Sequence, residues 1–199
     1  MQTCFQRELQ LQSAQLLCGD VADFGCGSGK IAPFLTDKAD VTSYTGIDYS
    51  SEMIKIADWL IGQFDCPSFS TFEGKIEDYQ GKMFDSAVSL NSYYTWPDPV
   101  KVLQHIYSLL KPGGLFVLAT PNTRIDMLAM EKEVRKELLT HPDFATFSQI
   151  NLALTENTDA RFIDMNDLIK QLQSIGFSVV SCHQSFYLGG LNFLVLEKH

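Results

Sequence analysis

Between Val21 and Ala119, five short apolar runs (Val21 to Phe24, Thr42 to Ile47, Ser68 to Phe72, Ser86 to Leu90 and Leu115 to Ala119) are separated by stretches of helical periodicity. Met53, Ile54, Ala57, Leu60 and Ile61 form one helical stripe, and Val100, Leu103, Ile106, Tyr107 and Leu110 form another. Strands joined through helices cannot pair as hairpins, so the pattern implies a doubly wound, mostly parallel sheet with helices on both faces. Ligands of such sheets sit at the carboxyl ends of the strands, near the point where strand order reverses. A modest amphipathic helix from about Gln6 to Leu17 comes first. A last helical stripe, Phe162, Met165, Leu168, Ile169, Leu172 and Ile175, is closed by Gly176 and precedes two strands, Ser178 to Cys182 and Asn192 to Glu197. Gly189-Gly190 between those strands also suits a plain hairpin.

The first strand runs straight into a glycine turn, "VADFGCGSGK", with Gly25, Gly27 and Gly29 at alternate positions and Lys30 placed to open a helix. Glycines there let the backbone approach a ligand, because no Cβ intervenes and positive φ costs little. The dinucleotide pattern GxGxxG fails, since Lys30 stands where its third glycine belongs, and Ile31 replaces the hydroxyl residue of a phosphate loop. Asp48 ends the second strand, where a carboxylate can accept hydrogen bonds from both hydroxyls of a ribose. An exposed position is expected for it; the alternative is a helix-start residue ahead of Ser50, Ser51 and Glu52.

"DFGCGSG" followed by "YTGIDYS", then "FDSAVSLNSYYTWPDP" and "LLKPGGLFVLATPN", resembles in order the motifs of the class I S-adenosylmethionine (SAM)-dependent methyltransferases, from roughly Val21 to Asn122. The resemblance implies a seven-stranded sheet whose last strand enters antiparallel. It implies SAM as cofactor, with Asp23, Gly25, Cys26 and Gly27 near its amino-acid and ribose portions, Asp48 on the ribose, Tyr49 against the adenine face, Asn91 at the ammonium, and Met53 among the cofactor contacts. For Asp23 a helix-cap or core-rim role is the alternative, and for Cys26 that of a small filler. Lys75 stands where the family often has an acid, leaving the backbone of Ile76 and the carboxylate of Glu77 or Asp78 to read the adenine edge, unless this is an ordinary surface loop. Tyr93, Tyr94 and Trp96 either wall the acceptor pocket or plug the base of the next helix. Pro112-Gly113-Gly114 reads as a structural turn between a helix and the next strand.

The chain has 199 residues, enough for one domain, within which about 122–161 reads as a lid-like insertion containing the helical segment "RIDMLAMEKEVRKELL". Five scattered cysteines without a CxxC pair suggest reduced thiols and no metal site. A net charge of −9 without a basic cluster argues against nucleic acid and leaves a small-molecule acceptor. No run of about 18 apolar residues is present, and the glutamine-rich start lacks a signal-peptide core, so a cytoplasmic location without membrane contact is expected. His105 and His199 read as structural and terminal; His141 and His183 are the candidate bases, should the acceptor need one. Alternatives to a methyltransferase are a nucleotide-dependent oxidoreductase on the same architecture, or a noncatalytic SAM-binding protein. Composition assigns neither the acceptor nor an oligomeric state.

Overall fold

The computed structural model describes residues 2–66, 68–142, 144–146, 148–149 and 160–199. Seven strands, β1 (Gly19–Phe24), β2 (Val41–Asp48), β3 (Phe69–Glu73), β4 (Phe84–Leu90), β5 (Leu110–Pro121), β6 (Phe177–His183) and β7 (Leu191–Lys198), form one sheet in the order β3-β2-β1-β4-β5-β7-β6. β1 to β5 are parallel, and β7 lies antiparallel between β5 and β6. The order reverses between β1 and β4, so the carboxyl ends of those two strands, with β2 beside them, frame the crevice expected of a doubly wound sheet.

Among the described residues, the helices α1 (Cys4–Gln15), α2 (Ser51–Ile61), α3 (Pro99–Leu109), α4 (Met127–Leu138) and α5 (Met165–Ile175) cover the faces. Alternation along the strands divides the core. Phe24, Ala87, Phe116, Leu118 and Leu194 pack against Leu103 and Ile106 of α3 and Leu168 and Leu172 of α5. Val21, Tyr44, Val88, Val117 and Phe193 face Leu9 and Ala14 of α1 together with Met127 and Met130 of α4. Thr3 starts α1 with a capping box, its hydroxyl accepting from the Gln6 N–H while the Gln6 side chain accepts from the Thr3 N–H. Gly176, at φ +119°, closes α5 as the sequence predicts.

Two local readings are corrected. Lys30 opens no α-helix: after left-handed Gly29 the chain makes only i to i+3 bonds and a short 3₁₀ helix, Ala32–Phe34, with Pro33 near its start. Pro112-Gly113-Gly114 does not separate a helix from a strand, because α3 ends at Leu109 and β5 begins at Leu110. The triplet sits in an irregularity of β5, whose pairing with β4 jumps from Phe84↔Leu110 to Ser86↔Leu115.

Candidate functional site

The three loop glycines are all left-handed, and each has a different reason to be glycine. A Cβ on Gly25 would lie 2.0 Å from Ser92 Oγ, so this glycine lets the loop after β1 meet the loop after β4. One on Gly29 would touch Ala57 Cβ at 3.1 Å, so that glycine seats the loop on α2. Gly27 has no atom of another described residue, its chain neighbours aside, within 4 Å of its Cβ position and lines the cleft. Only there does the left-handed turn leave space for a ligand.

Asp48 fixes that turn. Its carboxylate accepts the Gly27 N–H through Oδ2 at 2.8 Å and the Ser50 N–H through Oδ1 at 2.9 Å. The residue is 9% exposed, which corrects the expectation of an exposed strand end: the side chain folds back over the loop from β2. Helix initiation falls instead to Ser50, whose hydroxyl accepts from the Met53 N–H.

Beneath the loop, Asp23 is buried and its Oδ2 accepts from Tyr44 Oη at 2.9 Å. Burial, then repulsion from Asp48, push its pKa up to about 7 against the opposing Tyr44 hydrogen bond. Burial and the same two carboxylates also push the Cys26 thiol up, keeping it protonated. A Cβ on Gly46 would approach both Cys26 Sγ and Tyr44 Oη at 3.0 Å, so a glycine on β2 makes room for this floor. Asp23 is thus adjacent to the cleft without lining it.

The cleft encloses about 1040 Å³. Of the residues expected at a cofactor, Gly25, Cys26, Gly27, Asp48, Tyr49, Met53, Ile76, Glu77 and Asn91 line it. Tyr49 is 75% exposed at the mouth, and Ile76 and Glu77 lie on a 3₁₀ turn after β3. The aromatic trio divides: Tyr94 lines the cleft, Trp96 shows the cleft an edge but is buried in the core, and Tyr93 packs in the core against Trp96 and donates its hydroxyl to Gln171 of α5 at 2.7 Å. Neither candidate histidine lines the cleft. His183 is exposed, stacked on Phe193 and bonded to Ser185, and His141 follows α4. His105 bonds the Tyr79 carbonyl, a structural role.

Two walls are absent from the sequence reading. Gln6, Leu9 and Gln10 of α1 close one side, and Tyr187, between β6 and β7, reaches in from the other. Tyr187 stacks on Phe5 of α1 and accepts a 3.0 Å hydrogen bond from Asn91 Nδ2. Asn91, Tyr187 and Leu188 are the non-glycine residues with positive φ among those described. At Tyr187 and Leu188 such backbone costs on the order of 1–3 kcal/mol and persists only where its surroundings hold it, whereas asparagine tolerates it. The described part of the lid-like insertion does not line the cleft: α4 backs α1, burying Met127 and Met130 with Leu9 and accepting the Cys4 N–H on Glu137. Residues 150–159 of that insertion lie outside the described residues. No described helix is long and apolar enough to cross a membrane.

Residues 4–182 match the family described as Methyltransferase domain. Trans-aconitate 2-methyltransferase of Escherichia fergusonii is 30% identical over 107 residues, 53% of this chain and 40% of that protein, so the chain spans less than half of this relative. Magnesium protoporphyrin IX methyltransferase from Synechocystis, solved with bound S-adenosylhomocysteine (SAH), superposes with a TM-score of 0.70 at 16% identity, over 98% of this chain and 84% of that one. The [4+2]-cyclase SpnF superposes with a TM-score of 0.72 at 16% identity, over 97% and 82%. Those two likenesses establish the fold, and the family match runs from the start of α1 into β6. The chain therefore belongs to the methyltransferase domain family and has the class I SAM-dependent methyltransferase fold.

Proposed function

We propose that the chain binds SAM, its family's cofactor, above Gly27 and transfers the methyl group in line to a small-molecule acceptor. The observation that carries this reading is the Asp48 carboxylate. Two of its roughly four lone pairs hold the Gly27 and Ser50 N–H groups, and the others remain for vicinal ribose hydroxyls beside the space over Gly27. The Asp48 carboxylate beside Gly27 makes the floor electronegative, which suits a cationic cofactor better than an anionic pyrophosphate. Tyr49 and Met53 suit the adenine face, Ile76 and Glu77 its edge, and Gly25, Cys26 and Asn91 the amino-acid end.

SAM supplies an already activated methyl group, so the protein's work is alignment and exclusion of water. Leu9, Gln6 and Gln10 of α1, with Tyr94, form a further wall and are assigned to the acceptor, while Tyr187 stands beside that wall on Asn91. Burial raises the pKa of both tyrosines, which makes them hydrogen-bond donors at neutral pH and not bases. With no histidine in the lining, the site suits an acceptor that arrives as a competent nucleophile, such as a carboxylate. In this reading α1, backed by α4, is the cover, and the insertion acts through it. The net charge of −9 without a basic cluster in the sequence argues against a nucleic-acid acceptor.

Transfer of tritium from methyl-labelled SAM to a panel of small carboxylates, hydroxyl compounds and amines, beginning with trans-aconitate, tests the reading. Labelled ester from a carboxylate is expected. SAH binding with no transfer to any class would favour a noncatalytic binding protein.

A further inference from the structure

We propose that Tyr187 is a positioning residue for the amino-acid end of the cofactor: it fixes the Asn91 side-chain amide with Oδ1 turned toward the cofactor's ammonium. The inference rests on the SAM reading above. A side-chain amide can present either its oxygen or its NH₂ group, and only the oxygen attracts a cation. Here the Asn91 NH₂ is committed to Tyr187 Oη at 3.0 Å, while Asn91 Oδ1 accepts no hydrogen bond from any described residue. Asn91 lines the cleft, at the carboxyl end of β4 beside the glycine loop.

Both partners are held from behind. The Asn91 N–H bonds the Ala119 carbonyl at 2.8 Å. The loop carrying Tyr187 is pinned by Asn122, whose side chain donates to the Gly189 carbonyl and whose N–H donates to the Gly190 carbonyl, each at 2.9 Å. Gly190 lies against Ile125 with no room for a Cβ. The Tyr187 ring is buried and stacked on Phe5. The left-handed residues of the described chain other than glycine, Asn91, Tyr187 and Leu188, are the two partners of this one bond and the neighbour of one of them. Left-handed backbone stands at both ends of this single contact, and at Tyr187 and Leu188, which ordinarily avoid it, it marks the contact as functional.

Calorimetry with SAH and 5′-methylthioadenosine tests the proposal, because the second compound keeps the nucleoside and thioether but lacks the ammonium and carboxylate. Tyr187→Phe keeps the ring and its stacking and removes the hydroxyl. It should weaken SAH about tenfold, the loss of roughly one hydrogen bond to a charged group, and leave 5′-methylthioadenosine unchanged. Equal weakening of both compounds, or of neither, overturns the proposal. Asn91→Gly, which tolerates the left-handed backbone, serves as the second variant. It should weaken SAH selectively, and adding Tyr187→Phe to it should have no further effect; an additive loss would show that the tyrosine does not act through the amide. Wild-type protein that binds neither compound overturns the functional reading, and this inference with it.

Discussion

Replacing Asp48 should damage the loop and the cofactor site together. Asp48→Ala removes the acceptor of two backbone N–H groups, those of Gly27 at 2.8 Å and Ser50 at 2.9 Å. Water entering from the cleft replaces part of that loss, so the stability cost is about 2 kcal/mol. For a domain of this size that lowers Tm by roughly 4–8 °C. Affinity falls further, because two hydrogen bonds from the ribose to a charged group, at about 1.5–3 kcal/mol each, disappear along with the held loop. SAH binding should therefore weaken by about 100-fold or more. Asp48→Asn is no gentle control here: its single oxygen can serve one N–H, while its NH₂ must face the other, donor against donor. Its Tm should fall as far as that of alanine. Differential scanning fluorimetry and calorimetric titration with SAH read the two effects. An unchanged SAH dissociation constant beside a lowered Tm would reduce Asp48 to a loop anchor, and a wild-type Tm in the asparagine variant would refute the two-bond account.

The loop glycines should separate packing from binding. Gly25→Ala drives a methyl group into Ser92 and should cost about 2–5 kcal/mol of stability by thermal denaturation, whereas Gly27→Ala meets no protein atom and should cost only about 1–2 kcal/mol while weakening SAH more than about tenfold in calorimetry. Asp23 has a folded pKa raised to about 7, so its protonated form stabilises the fold below the ordinary carboxylate value, and that contribution is lost as pH rises through about 7. Asp23→Asn keeps an acceptor for Tyr44 and carries no charge, so its Tm should exceed wild type at pH 8 and match it at pH 4; equal Tm values at both pH values would refute the shift. If α1 and α4 together cover the acceptor, amide exchange in Cys4–Gln15 should slow when SAH and acceptor bind, and identical exchange in every state would make them scaffold.

The strand pattern and the glycine spacing were legible because both follow from local rules: short apolar runs locate β1, β2 and β4, and only a strand-to-helix crossover explains their separation. The same rules place Asp48 at a strand end, but not which way its side chain folds. Its burial depends on the Gly27 N–H, brought to it by the loop after the neighbouring strand. Tyr93 and Tyr94 are adjacent and chemically alike, and a 3₁₀ turn sends one into the core and the other into the cleft, a division periodicity does not carry. The α1 wall left a faint trace, with Leu9 among glutamines. Tyr187 left none, because its place depends on left-handed backbone at residues that ordinarily avoid it.

Calorimetric titration of the wild-type protein with SAH, and separately with NAD, in excess chelator tests the central claim most directly. A cleft with Gly27 open, Asp48 at the ribose position and Asp23 beneath it should give saturable one-to-one binding of SAH and no heat from NAD. Binding of NAD with none of SAH, or SAH binding that the chelator abolishes, would contradict it.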